Sequence, residues 1–81
     1  MAKLVVTVRD ATTKAMLPYI HTEADGVVLT TGLDGTCVFE FPLGKTVTIK
    51  ARSPIHRPWS RSVSVTAERT EVEVALEKAI L

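Results

Sequence analysis

The chain has 81 residues and a net charge of +1; 46% of its residues are hydrophobic and 23% are charged. This composition indicates one small folded domain and excludes a disordered chain. The near-neutral charge argues against general attraction to nucleic acid. No apolar run approaches the roughly 20 residues of a membrane-spanning helix.

We expect residues 1–81 to form a single domain whose core lies between about residues 4 and 77. Cys37 is the one cysteine, so the hydrophobic core must hold the fold without an internal disulfide. The opening MAKLVVTVRD is too short, and too charged at Arg9 and Asp10, for a signal peptide. We therefore expect a cytoplasmic protein if the chain is complete, or an extracellular one if it is cut from a longer protein.

The first half of the chain alternates apolar and polar residues in short runs, which is typical of half-buried strands. Residues 4–9 are the first predicted strand, and Asp10 opens a polar loop in which side chains can hydrogen-bond backbone amides. Residues 20–24 and 27–31 are the second and third strands, joined by the hairpin signal Asp25-Gly26.

The middle of the chain predicts the hairpin around which the core condenses. Residues 36–41 form the fourth strand, with both phenylalanines on one face, and residues 46–51 form the fifth. Asp34-Gly35 precedes this pair of strands. Pro42-Leu43-Gly44 separates them, because proline cannot donate to a ladder and glycine permits a reversal.

The last third begins with an irregular segment, residues 52–60, which contains two prolines and no periodicity. We expect the sixth strand to begin near Ser62, a turn at residues 67–70 and the seventh strand at residues 71–76. The tail, residues 77–81, has no predicted place.

Seven short strands at intervals of about ten residues predict an all-β, seven-stranded antiparallel β-sandwich of two sheets. The side chains expected to fill its core lie on the apolar faces of these strands. They are Leu4, Val6, Val8, Ile20, Phe39, Phe41, Val47, Ile49, Val63, Val65, Val72, Val74 and Leu76.

Several turn and core positions resemble those of the carboxypeptidase regulatory-like domains. They are Asp10, Thr13, Leu17-Pro18, Thr31, Asp34-Gly35, Phe39 and Pro42-Leu43-Gly44, with the closing VSVTA…TEVEVAL. The resemblance covers nearly the whole chain and implies a transthyretin-like (prealbumin-like) Greek-key sandwich. Two positions depart from the family pattern. Gly32 stands where the family usually has aspartate, and Ser53-Pro54-Ile55 stands where a Gly-Tyr pair is frequent.

The resemblance implies a role as an accessory module, since such relatives commonly lie beside enzymes or on cell surfaces. Some of them bind sugars and a few are enzymes. The hydrolase branch that acts on a purine-breakdown intermediate ends in Tyr-Arg-Gly-Ser. This chain ends in Glu77-Lys-Ala-Ile-Leu81, which disfavours that branch.

The reactive side chains predict no catalytic residue, cofactor or metal. Cys37 alternates with two phenylalanines, so we expect a buried, inert thiol, and we expect His21 to face water. No zinc-ligand spacing occurs. Asp25 and Asp34 each offer one carboxylate in a turn, whereas calcium needs six to eight oxygens. No nucleophile–base pair follows from the pattern, and we expect a protein that is not an enzyme.

The segment KARSPIHRPWSR, residues 50–61, is basic and contains the one tryptophan. Arginine and tryptophan are enriched at interaction hot spots, so we expect an interaction loop here. Its residues are Arg52, His56, Arg57, Trp59 and Arg61. The sequence allows two interpretations of this segment. The loop contacts a partner, or Trp59 caps the end of the sandwich while the arginines are solvated.

We therefore expect a non-enzymatic accessory or structural module that contacts a protein partner or a neighbouring domain. The alternative is a carbohydrate- or anion-binding domain that uses the predicted interaction loop. The acidic residues Glu68, Glu71, Glu73 and Glu77 all lie later in the chain. If they and the basic segment lie on different surfaces, the molecule has opposed charge patches, which would favour head-to-tail contacts.

The third predicted strand has neither charge nor proline. The fold that the resemblance implies places this strand at or near a sheet edge, where such residues normally prevent pairing with another chain. We expect it to be covered by Ile80-Leu81 or to pair with its copy in a homodimer. Val28 should face away from Val27 and Leu29.

Overall fold

The computed structural model describes residues 1–79, which form seven β-strands. In chain order these are β1 (Ala2–Asp10), β2 (His21–Ala24), β3 (Val27–Thr30), β4 (Thr36–Phe41), β5 (Thr46–Arg52), β6 (Trp59–Ser64) and β7 (Arg69–Leu76). Within this described part of the chain, no helix is long and apolar enough to cross a membrane. The prediction of an all-β chain with seven strands is confirmed.

The strands form a three-stranded sheet in the order β4-β1-β7 and a four-stranded sheet in the order β3-β2-β5-β6. Every pair in the four-stranded sheet is antiparallel, and so is β1 with β4. β1 and β7 are parallel, so the prediction of a wholly antiparallel sandwich is wrong for this pair. Alternation along a strand specifies which face is buried, but it does not specify the direction of the neighbouring strand.

The core lies between the two sheets and is formed by the alternating apolar residues of the strands. The side chains of Phe39 and Phe41 stack with their ring centroids 6.1 Å apart. All the predicted core residues are buried except Val63, which is half-buried and packs against the core from β6. Cys37 is also buried as predicted, and desolvation raises the pKa of its thiol.

β6 begins at Trp59, earlier than the predicted start near Ser62. Trp59 pairs with Ala51 and Ser60 with Lys50, so the ladder extends into the segment that appeared irregular. Pro58 directly precedes the first paired residue, where its missing N–H costs no ladder hydrogen bond. β7 likewise begins two residues before its predicted start, at Arg69 instead of Glu71.

Side-chain hydrogen bonds hold the loops at one end of the sandwich. As predicted, Asp10 Oδ1 accepts hydrogen bonds from the amides of Thr12 (2.9 Å) and Thr13 (3.0 Å). The buried Thr31 hydroxyl donates to the Leu17 carbonyl and accepts from the Ile20 amide, both at 2.8 Å. These bonds fix the long connection between β1 and β2 against the rest of the fold.

Candidate functional site

The residues of the predicted interaction loop lie in different environments and do not form one surface. Arg52 is exposed on the outer face of the four-stranded sheet, whereas His56 is buried. Trp59 is half-buried and packs against the core. Arg57 and Arg61 are exposed, and Arg61 lies opposite Ile49 on the inward side of β6.

His56 is the centre of a buried polar cluster. Its Nε2 lies 2.9 Å from Asp10 Oδ2 and its Nδ1 lies 2.9 Å from Ser53 Oγ. The side chains of His56 and Asp10 are only 2% and 4% exposed. We call Asp10, Ser53 and His56 the clasp, because it joins the end of β1 in one sheet to the loop that leaves β5 in the other.

The clasp keeps the Asp10 carboxylate ionised. The hydrogen bond from His56, followed by those from the Thr13 and Thr12 amides, holds the pKa of the Asp10 carboxyl well below its usual range. Burial acts in the opposite direction, but the hydrogen bonds outweigh it. Because both of its oxygens accept hydrogen bonds, the Asp10 carboxylate can remain ionised although it is buried.

The three residue types of the clasp are also those of a serine hydrolase, a nucleophile–base pair that the sequence did not predict. Such chemistry needs backbone or side-chain donors directed at the substrate oxyanion. The two nearest amides after Ser53 already donate hydrogen bonds within its own turn. The Ile55 amide donates to Ser53 Oγ at 3.4 Å, and the His56 amide donates to the Ser53 carbonyl at 3.3 Å. These two amides therefore point back to Ser53 and not towards a substrate oxyanion.

The described part of the C-terminal tail covers the clasp end of the sandwich. The Arg57 amide donates to the Glu77 carbonyl at 2.8 Å, and the Ala79 amide donates to the Ile55 carbonyl at 3.0 Å. Residues 77–79 therefore extend the fold beyond β7. The prediction that Ile80-Leu81 covers β3 falls on residues outside the described ones.

A second group of polar residues lines a depression of about 200 Å³ on the outer face of the four-stranded sheet. We call it the basic depression. Its outward side chains are His21, Glu23, Val28, Lys50 and Arg52. His21 is exposed, as predicted.

The register of the sheet determines which charges in the basic depression face each other. Lys50 lies opposite Glu23, whereas Arg52 lies opposite His21, which carries no negative charge. Among residues 1–79, neither Lys50 nor Arg52 forms an ion pair. The depression therefore presents cationic side chains that are free to contact an anion.

The basic depression reaches the sheet edge at β3. This strand pairs with β2 on one side only, so the prediction of an edge position is confirmed. Val27 and Val28 are 47% and 56% exposed. Val28 contributes to the outer face as predicted, because it lies opposite Glu23 and lines the depression.

A third feature is a depression of about 180 Å³ beside the half-buried Trp59. Arg57, Pro58, Ala75 and Glu77 complete its lining. Trp59 thus packs partly against the core and also contributes to a surface depression. Arg52 and Arg61 do not line this depression.

Two of the acidic residues in the last part of the chain are paired with arginines on the outer face of the three-stranded sheet. Arg9 pairs with Glu73 at 3.3 Å across β1 and β7. Arg69 pairs with Glu71 at 3.0 Å within β7. The charges of Glu71 and Glu73 are therefore balanced within the chain.

Among residues 1–79, no group of three or more His, Cys, Asp or Glu side chains is placed to hold a metal ion. No family model matches the chain, and no curated protein matches it significantly. The geometry of the clasp, the basic depression and the β3 edge is therefore the basis for a functional assignment.

Proposed function

We propose that this chain is a non-enzymatic binding module that recruits a protein partner by pairing an extended segment of that partner with the free edge of β3. The edge position of β3 carries the proposal. Its outward backbone N–H and C=O groups have no strand partner among residues 1–79, and Val27 and Val28 are exposed. An edge of this kind is where strand addition gives affinity through backbone hydrogen bonds.

The other three edge strands support this choice, because each carries charge where β3 carries none. β4 contains Glu40, β6 contains Arg61 on its inward side, and β7 has a charged residue at alternate positions along its first half. Inward-pointing and edge charges are the usual means by which proteins prevent strand addition. Within the described part of the chain, β3 alone lacks this protection.

A segment of another protein suits this edge better than a second copy of the chain. β3 has four residues, so symmetric β3–β3 pairing offers few backbone hydrogen bonds. A foreign segment can continue past the strand and gain side-chain contacts with the basic depression. The homodimer is then the outcome that sedimentation must distinguish.

We extend the proposal to the class of module. The strand order in two sheets and the turn contacts of Asp10 and Thr31 support a transthyretin-like Greek-key sandwich of the carboxypeptidase regulatory-like kind. Gly35 adds to this support. Its φ is 77°, and a Cβ there would lie 3.1 Å from the Val8 carbonyl oxygen, so this turn position requires glycine. A module of this kind acts beside an enzyme domain or another partner.

The test is selection from a displayed library of random dodecapeptides against the parent protein and two variants. Val27→Lys places a charge on the inward side of the edge strand, away from the basic depression. Val38→Lys is the matched control, an exposed valine on an edge strand of the other sheet. We expect peptides that bind the parent and Val38→Lys but not Val27→Lys, and that shift the NMR amide signals of residues 27–30. Failure to select any peptide that depends on β3 contradicts the proposal.

A second candidate function is carbohydrate binding at the depression beside Trp59, because an aromatic face with Arg57 and Glu77 nearby offers both stacking and polar contacts. Titration of a panel of neutral and acidic oligosaccharides should then change the fluorescence of Trp59, the one tryptophan. Arg57→Ala should abolish the change, while Arg52→Ala should leave it. An unchanged spectrum across the panel excludes this candidate.

A further inference from the structure

We infer that the partner segment is acidic and places carboxylates in the basic depression beside β3. This inference rests on the proposed strand addition and identifies the chemistry of the segment that is added. Its starting observation is that one depression is lined both by Val28 of the edge strand and by Lys50 and Arg52 of β5.

The distances across a sheet make this contact feasible. Neighbouring strands lie about 4.8 Å apart, so a strand added to β3 lies about 10 Å from β2 and about 14 Å from β5. The long side chains of Lys50 and Arg52 cover part of that distance along the outer face. A glutamate on the added strand covers the remainder, provided that it points to the same face.

The alternation of side chains determines where the carboxylates must be. Val28 and Thr30 point to the outer face of the four-stranded sheet, because they lie opposite Glu23 and His21. In an added strand, every second residue points to the same face. Acidic residues two positions apart in the segment would therefore both face the basic depression.

The charges of the depression favour such residues over basic or neutral ones. Glu23 is its one acidic side chain, and it lies opposite Lys50. The row that contains Arg52 and His21 has no acidic member among residues 1–79. An incoming carboxylate can accept hydrogen bonds from the Arg52 guanidinium, whereas an incoming cation meets like charges.

The outer face of the other sheet shows how the same residue types behave when they are internally satisfied. There, Arg9 and Arg69 each hold a glutamate of the same chain. Lys50 and Arg52 form no such pair within the described residues, so the basic depression offers two cations on one strand without an internal partner. Complementary charge of this kind gives specificity and faster association.

The experiment repeats the dodecapeptide selection against the parent, the Lys50→Glu/Arg52→Glu double variant and a control with the same change in net charge. The control is Lys3→Glu/Lys14→Glu, at two exposed lysines that do not line the basic depression. We expect peptides selected on the parent and the control to carry Asp or Glu at alternate positions. Peptides selected on the Lys50→Glu/Arg52→Glu variant should lose this preference and gain Lys or Arg.

A selected peptide and its Glu→Gln version give the quantitative test. Each exposed carboxylate should contribute roughly 2–5-fold in affinity, and the effect should shrink at high salt. Peptides that bind β3 without any charge preference overturn the inference and leave the proposed function intact. If no selected peptide depends on β3, the proposed function fails, and the inference fails with it.

Discussion

The clasp end of the sandwich and the edge of β3 differ in whether their polar groups have partners within the protein. At the clasp, a buried carboxylate has both oxygens bound, Oδ1 by the Thr12 and Thr13 amides and Oδ2 by His56. At β3, backbone groups on one side have no strand partner, and the nearby Lys50 and Arg52 form no ion pair within residues 1–79. Buried polar groups need hydrogen-bond partners inside the protein, whereas exposed polar groups are hydrated and remain available to bind another molecule. We therefore expect the clasp to stabilise the fold, and the edge of β3 is the surface that we propose for binding.

The core that supports both regions should show the largest effect on stability. Phe39→Ala removes a side chain that is 2% exposed, and we expect a loss of about 3–5 kcal/mol in the free energy of unfolding from the lost burial and the cavity. Domains of this size have a total stability of about 5–8 kcal/mol, so the variant should unfold on mild warming. Urea denaturation measures the loss. A decrease below about 1 kcal/mol would show that Phe39 is not central to the core.

Removal of the histidine from the clasp should have the next largest effect. His56→Ala leaves the Asp10 carboxylate without its side-chain partner, and the unsatisfied group should cost about 1–3 kcal/mol. His21→Ala is the matched control, because His21 is an exposed imidazole on β2 and should change stability by less than about 0.5 kcal/mol. Equal urea midpoints for the two variants would contradict a stabilising clasp.

The clasp also predicts how stability depends on acidity. Because the folded state lowers the pKa of Asp10, its contribution is fully present above the ordinary aspartate pKa of about 4. It is lost progressively as the pH falls below that value. Asp10→Asn should remove this part of the acid dependence as well as lowering stability at neutral pH. Urea midpoints from pH 7 to pH 2 test this, and parallel curves for the parent and Asp10→Asn would contradict it.

Asp34 is the control for the acid dependence. Its pKa is also lowered, mainly by the hydrogen bond from the Thr36 side chain, but it lies in an exposed turn. Asp34→Asn should therefore reduce the dependence of stability on pH, at acidic pH, less than Asp10→Asn does. A larger effect at Asp34 would assign the acid sensitivity to the turn before β4.

Local patterns in the sequence were sufficient to predict the strands. The alternation around Phe39 depends on neighbouring residues alone, and the predicted strand is confirmed by the structure. The edge position of β3 was instead expected from the strand order of the fold that the resemblance implies, and it is also confirmed. The turn contacts of Asp10 with Thr12 and Thr13 are local as well. Such features are visible because secondary structure imposes its period directly on the sequence.

Features that depend on distant residues could not be predicted. Asp10 and His56 are 46 positions apart, and nothing in either segment indicates that they meet. The parallel pairing of β1 with β7 depends on how the intervening strands are distributed between the sheets. Arg52 and Trp59 are close in sequence, yet β5 and the loop after it place them in separate depressions. The predicted interaction loop was therefore divided by the topology.

The β3 edge should show the smallest effect on stability and the largest effect on binding. Val27 is 47% exposed, so Val27→Lys should change the free energy of unfolding by less than about 1 kcal/mol. The same change should abolish binding of the selected peptides, because a charge on the inward side of the edge strand opposes strand addition. Sedimentation of the parent at high micromolar concentration completes this test. A parent dimer that Val27→Lys dissociates would identify a second copy as the occupant of the edge.

Amide hydrogen exchange with and without a selected acidic peptide tests the central claim most directly. We predict that the β3 amides facing away from β2 exchange rapidly in the free protein and become protected when the peptide is added. The amides of Thr12 and Thr13, which are bound to Asp10, should be protected equally in both states. Peptide binding that leaves the β3 amides unprotected would contradict the account, because the partner would then occupy a different surface.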